Sequence, residues 1–129
     1  MRVLILAAGQ GTRLAPLTDD RPKCMVELAG VSLLQRQTAT LDSLNITDVT
    51  VIAGYRAQVI EAAGFKTIIN QDFASSNMVH SLFCASRLMD GEDDLIIAYG
   101  DIVYEPKVIN ALMASDSPMS VVVDMEWRR

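Results

Sequence analysis

The chain has 129 residues, half of them apolar and about a fifth charged, with a formal net charge of -5. That makeup belongs to one soluble globular domain with a core of its own and excludes a disordered tail. The acidic balance excludes a duplex-binding protein, which needs a Lys/Arg surface against phosphates, but leaves free nucleotides open because a few local cations hold them.

The first run, Val3 to Ala8, is apolar and is then broken by Gly9-Gln10-Gly11 and Arg13. A leader peptide does not fit that interruption, whereas a short strand covered on both faces does. Similar runs return at Val49 to Ala53, Thr67 to Ile69, Leu95 to Ala98 and Ser120 to Val123, which makes five predicted strands. No stretch is long enough to cross a bilayer.

Helical spacing fills the gaps. Leu33, Leu34, Gln37, Leu41 and Leu44 mark one face after Ser32, and Ala57 to Ala63 form a shorter helix closed by Gly64. Met78, Leu82, Ala85, Leu88 and Met89 mark a third helix, for which Ser75, Ser76 and Asn77 offer capping oxygens. A fourth runs from Pro106 to Ala114, with the proline suited to a first helical position.

Strands alternating with helices predict an open, mostly parallel, Rossmann-like α/β sheet with helices on both faces and ligands beyond the carboxyl ends of the strands. A doubly wound domain continues past a buried strand such as Ser120 to Val123, so the chain reads as a truncated first part of a larger domain. Cys24 and Cys84 lie far apart in apolar surroundings, which argues against a zinc site or a disulfide and for a reducing cytoplasm.

Gly9 and Gly11 directly after a strand allow a tight turn whose N–H groups form a nest for phosphate oxygens. A dinucleotide fingerprint would place a small residue where Leu14 stands and an acid where the second strand gives way to Gly54-Tyr55. A Walker loop would place Gly-Lys-Ser/Thr after four intervening residues. Neither pattern is met, and a dinucleotide-dependent oxidoreductase is thereby disfavoured.

The complete stretch does fit another signature. Leu6, Ala7, Ala8, Gly9, Gly11, Thr12, Arg13, Leu14, Pro16, Thr18, Pro22 and Lys23 together resemble the motif of NTP-dependent nucleotidyltransferases, which join a nucleoside triphosphate to a sugar 1-phosphate or a similar phosphomonoester. The chemistry is consistent with this on its own terms. Attack on an α-phosphorus carries several negative charges through its transition state, so fixed cations and amide dipoles lower the barrier. Arg13 offers a planar fork, Lys23 a compact charge, and Pro16 and Pro22 stiffen the loop that carries them. Arg21, beside Asp19 and Asp20, is better read as a surface ion-pair partner.

At the end of the fourth predicted strand, Tyr99-Gly100-Asp101 places one carboxylate on the ligand edge, where it suits Mg2+ held against phosphate oxygens. The triplet resembles the metal-binding step of the same family. The resemblance implies a nucleotide-diphospho-sugar transferase-like fold, with residues 1–129 as its nucleotide-binding part. It puts Leu6, Ala7, Ala8, Gly9, Gly11, Thr12, Asn77, Tyr99 and Gly100 against the nucleotide, Arg13 and Lys23 in catalysis, and Asp101 on Mg2+. It also implies a second metal carboxylate from a later strand, a motif to which Asp124 does not match.

Asn77-Met78 with Ser81-Leu82 resembles a stretch of phosphocholine cytidylyltransferases and of choline- or phosphonate-activating relatives. CTP with a choline- or phosphonate-like acceptor is therefore the first expectation, and UTP or dTTP with a sugar 1-phosphate the next. Asn77 is read equally well as a helix cap, and Ser81 as an exposed helix residue. His80 is read as a helix-surface residue, because phosphate nucleophiles are already anionic at neutral pH and need no base. Tyr55 and Trp127 could each stack on a base or on a quaternary ammonium group, and the Gly54-Tyr55 step at the end of the second strand is equally open to a structural reading. The partners expected are an NTP and a small phosphorylated acceptor, with no nucleic acid and no membrane; assembly into a homo-oligomer is left open. The rival expectation is a nucleotide- or partner-binding module without catalysis.

Overall fold

A computed structural model describes residues 1–128. In chain order it shows β1 (Arg2–Ala7), a hairpin of β2 (Glu27–Leu28) and β3 (Val31–Ser32), α1 (Leu33–Asp42), β4 (Val49–Ala53) and α2 (Ala57–Ala62). Then follow β5 (Thr67–Ile69), α3 (Met78–Cys84), β6 (Leu95–Tyr99) and α4 (Pro106–Met113). Four of these strands form one parallel sheet in the order β5-β4-β1-β6. The chain thus steps outward from β1 to β4 to β5, and α3 carries it back to β6 on the other flank of β1. The order reverses between β1 and β6, and at such a switch point the loops at the carboxyl ends diverge and leave a crevice.

Alternation along the strands divides the core in two. Val3, Ile5, Val51 and Ala53 join a cluster with Leu34 and Leu41 of α1, Ile60 of α2 and Ile109 of α4. Leu4 and Ile52, pointing the other way, join Ala85 with Leu82 of α3 packed alongside. Val3, Leu4, Ile5, Val51 and Ile52 are all fully buried, which explains why β1 and β4 read as mostly apolar runs rather than alternating ones. Local chemistry fixes where the helices start. Ser32 and Gln35 form a reciprocal capping box at α1, and the Asn77 side chain accepts from the N–H groups of Val79 and His80 at α3.

Three sequence expectations change, and one element is added. The predicted strand at Ser120 to Val123 does not form: Val121, Val122 and Val123 are 78%, 52% and 67% exposed, beside α4. Valine suits a pleated surface, but the preference yields a strand only where a neighbouring edge is paired, and β6 pairs with β1 alone. The β2–β3 hairpin was not foreseen, since its strands have two residues each, too few for periodicity to show. The third predicted helix stops at Cys84 and a 3-10 turn, Ser86–Leu88, replaces its last part. Ser81 is buried instead of exposed, because its hydroxyl accepts from Asn70 Nδ2 at 2.9 Å.

Among the described residues no helix is long and apolar enough to cross a membrane. Truncating a fully buried side chain of the central strands, as in Ile52→Ala, is expected to cost about 2–5 kcal/mol. Val122→Ala is expected to stay within about 0.5 kcal/mol, since its side chain is largely in water already. Urea denaturation of the two variants checks the pair of values, and a large cost at Val122 would restore the discarded strand.

Candidate functional site

β1 ends at Ala7, and the chain then turns through Gly9 and Gly11 into a short 3-10 turn, Thr12–Leu14, that carries Arg13. Gly11 adopts a left-handed conformation with φ of 72°, which a side chain would strain. A Cβ there would also lie 2.9 Å from Cβ of Lys23. The glycine therefore lets the stem of Lys23, which comes from a second 3-10 turn, Lys23–Met25, pack directly on the loop. The loop is closed on itself by Thr18, whose buried hydroxyl donates to the carbonyl of Gly11 at 3.0 Å.

From the neighbouring strand β6, Tyr99, Gly100 and Asp101 arrive at the same rim. The Gly100 N–H donates to the carbonyl of Leu6 at 2.9 Å. A Cβ on Gly100 would lie 2.8 Å from Cβ of Ala7 and 3.1 Å from that of Cys24, so only glycine fits between the two segments. Beyond it, Asp101 Oδ2 accepts from Lys23 Nζ at 2.5 Å. The Lys23 and Asp101 side chains are 34% and 37% exposed, so the pair stands at the surface of the crevice and not in the core.

Leu6, Ala7, Gly11, Lys23, Gly100 and Asp101 are thus brought to one rim by a series of pairwise contacts: Gly11 with Lys23, Lys23 with Asp101, and Gly100 with Leu6 and Ala7. Ala8 is buried and Gly9 exposed on the way into the loop. Arg13 and Thr12 are exposed on the 3-10 turn next to Gly11, and the Arg13 guanidinium makes no hydrogen bond or ion pair among the described residues. The Tyr99 hydroxyl donates to Met78 Sδ at 3.1 Å, which ties the Tyr-Gly-Asp step to the start of α3, where Asn77 sits. Asn77 Oδ1 is occupied with capping, so only its amide nitrogen remains for another partner.

Other residues singled out in the sequence have structural places. Arg21 pairs with Asp20 at 2.9 Å, and that pairing holds the Asp20 carboxyl below the usual carboxylate range. His80 Nε2 lies 3.6 Å from Asp72 on the helix surface. Trp127 is 69% exposed, with the Arg128 guanidinium 4.7 Å from its ring centre. Asp124 stands in the irregular segment and accepts from the Glu126 N–H, away from any strand. Cys24 is buried under Gly100, and burial pushes its thiol up to about 12.

Two residues support the site, one of them left open by the sequence and one missed in it. Tyr55, open in the sequence between stacking and a structural place, has the structural one: its hydroxyl is shared between the carbonyls of Thr18 at 2.9 Å and Asp19 at 2.8 Å, while its N–H donates to the Ala8 carbonyl at 2.9 Å. One residue at the end of β4 thereby grips both ends of the glycine loop. Gln37 was counted only as part of a helical face, although a polar residue among leucines on that face was the visible signal.

The donor chemistry fits a hard divalent cation. Asp101 Oδ1 accepts no hydrogen bond among the described residues, and no group of three or more His, Cys, Asp or Glu side chains converges there to form a cage. Mg2+ commonly takes one or two carboxylates and completes its shell with waters and phosphate oxygens. A separate groove between α4 and residues 120–123 lacks this character; its one cation, Lys107, is already paired with Glu105 at 2.5 Å.

A parallel sheet covered on both faces, with a glycine loop, a lysine and an acid meeting at its switch point, defines an α/β domain of the nucleotide-diphospho-sugar transferase fold. The profile described as the MobA-like NTP transferase domain matches residues 3–128, and the chain belongs to that family. It is 38% identical over 136 aligned positions to the CTP:phosphoglutamine cytidylyltransferase of Campylobacter jejuni, covering 98% of this chain and 54% of that protein. It is 28% identical to the CMP-5'-(3-aminopropyl)phosphonate synthase of Streptomyces rubellomurinus, covering 99% of this chain and 21% of that one. Among solved structures, the CTP:phosphocholine cytidylyltransferase of Streptococcus pneumoniae superposes with a TM-score of 0.69 at 24% identity, over 82% of this chain and 49% of the other. The chain therefore spans about half the length of the first of these relatives, or less.

The contacts at Gly100 predict a stability difference between two glycines of the rim. Gly100→Ala is expected to cost about 1–3 kcal/mol through overpacking against Ala7 and Cys24. Gly9→Ala, with nothing within 4 Å of the added methyl group, is expected to change stability by less than about 0.5 kcal/mol. Thermal or chemical unfolding of both variants measures the contrast, and equal effects would show that the rim is looser than described.

Proposed function

We propose that this chain is the nucleotide-binding part of a nucleotidyltransferase that moves a cytidylyl group from CTP to a small phosphorylated acceptor and releases pyrophosphate. The observation that carries the reading is the meeting of Lys23 and Asp101 beside Gly11, a cation and an anion paired where the sheet order reverses. Membership in the family supports the reaction class. The cytidylyl and phosphonate chemistry named for the similar proteins supports the choice of CTP and of a phosphoglutamine-, phosphonate- or phosphocholine-like acceptor.

In this reading an oxygen of the acceptor phosphate attacks the α-phosphorus of CTP in line, and the bond from that phosphorus to the bridging oxygen of the β-phosphate breaks. The N–H groups of Gly9 to Thr12 cradle the triphosphate, and Arg13, whose guanidinium is uncommitted, receives the charge that collects on the leaving pyrophosphate. Lys23 neutralises the α-phosphate or the acceptor phosphate, whose mutual repulsion otherwise keeps the reactants apart. Asp101 is the residue that would hold Mg2+, which when bound would supply positive charge to offset that of the triphosphate.

Lys23 and Asp101 pair with each other at the rim. A partly exposed pair of this kind is worth only about 0–1 kcal/mol, so an anionic ligand for the lysine and a cation for the acid can part them at small cost.

Titration with CTP and Mg2+ is expected to raise the melting temperature, since a ligand held only by the native state at a hundred times its Kd adds about 2.7 kcal/mol. The Arg13→Ala/Lys23→Ala double variant is expected to lose most of that shift. Equal stabilisation of the two proteins would refute the placement of the triphosphate. Pyrophosphate release with CTP and a panel of phosphocholine, phosphoglutamine, an aminoalkyl phosphonate and glucose 1-phosphate tests the reaction. Each single variant, Arg13→Ala or Lys23→Ala, is expected to lower kcat by about 10²–10³-fold.

A further inference from the structure

Gln37 lies on the inward face of α1, between Leu34 and Leu41 along the helix, and is fully buried. Its Nε2 group donates to the carbonyl of Tyr99 at 3.0 Å and to that of Ile102 at 3.1 Å. Those carbonyls bracket Gly100 and Asp101, so the two protons of one amide grip both ends of the segment that carries the acid. From the opposite side the same segment is held by the Gly100 N–H on Leu6 at 2.9 Å. Gln37 Oε1, by contrast, is buried with no hydrogen-bond partner among the described residues. A leucine or methionine would fill a similar volume without burying an unpaired carbonyl oxygen. An amide at this position makes physical sense only through its donors, and the two carbonyls they reach flank the rim acid.

We infer that Gln37 is a positioning residue for Asp101, setting the height and direction of its carboxylate and through it the affinity of the site for a divalent cation beside the triphosphate. The inference rests on the reading of Asp101 as the residue that holds the metal. Residues that orient a metal ligand, without touching the metal, typically change metal affinity or activity by about 10–100-fold when removed.

The test is Mn2+ binding in the presence of CTP, read from the paramagnetic resonance of the free ion, for the wild type, Gln37→Met, Gln37→Glu and Asp101→Ala. Gln37→Met keeps the volume without donors, and Gln37→Glu keeps the shape but turns an acceptor toward two carbonyl oxygens. Both are expected to weaken Mn2+ binding by about 10–100-fold while circular dichroism shows a folded chain, and to change CTP affinity without metal by less than about twofold. A residue that merely supports the core would lower the melting temperature and leave the metal affinity of the folded protein alone. Folded Gln37 variants that bind Mn2+ as the wild type does, beside an Asp101→Ala variant that does not, overturn the positioning role and leave the acid's assignment standing. Unchanged Mn2+ binding by Asp101→Ala defeats the assignment itself. Should Gln37→Met not fold, Gln37→Glu decides; if neither folds, Gln37 serves the core and the inference is lost.

Discussion

The rim of this molecule depends on how closely two backbone segments approach at the end of β1. The Gly100 N–H bonds to Leu6, and its missing side chain leaves room for Ala7 on one side and Cys24 on the other. That contact joins β1, β6 and the Lys23 turn at one point. Without it the acid that follows Gly100 and the lysine that precedes Cys24 would not come within hydrogen-bonding distance. Gly11 serves the same end by a different route: its left-handed turn bends the loop back, and its bare α-carbon receives the Lys23 stem.

Support for the rim comes from elements that carry none of its charges. Tyr55, at the end of β4, holds the glycine loop by Ala8 at one end and by Thr18 and Asp19 at the other. Gly54 lets it sit there, because a Cβ would lie 2.5 Å from Phe73 and 2.8 Å from the Ala8 carbonyl. α1 backs the other side: its first N–H, that of Leu33, donates to the Val26 carbonyl behind the lysine turn, and Gln37 grips the acid's segment. A helix is stiffer than a loop, so residues fastened to it keep their geometry when the exposed side chains exchange partners.

The electrostatics follow from this arrangement. Asp101 and Lys23 are close enough to attract strongly, yet partly open to water, where the attraction is screened. Two opposite charges that are near, weakly committed and carried on separate turns can serve two ligands of opposite sign. A fully buried pair could not, because separating it would leave each charge without solvent.

Much of the fold was legible in the residues themselves. The mostly apolar runs of β1 and β4, the Ser32 and Asn77 caps and the proline opening α4 are local facts, and local propensity and periodicity report them directly. The signature from Leu6 to Lys23 was legible through its resemblance to a known family's motif, a run of residues contiguous in the chain. The valine run at 121–123 was misread, since strand propensity states a preference and only a paired edge satisfies it. Likewise, the burial of Ser81, the loop grip of Tyr55 and the hold of Gln37 on Tyr99 and Ile102 join residues far apart in the chain. The sequence by itself determined the strand-helix alternation and the types of side chain offered to a phosphate. Only the tertiary structure decided which of them meet, because contacts across the sheet depend on strand order and close packing that no local window contains.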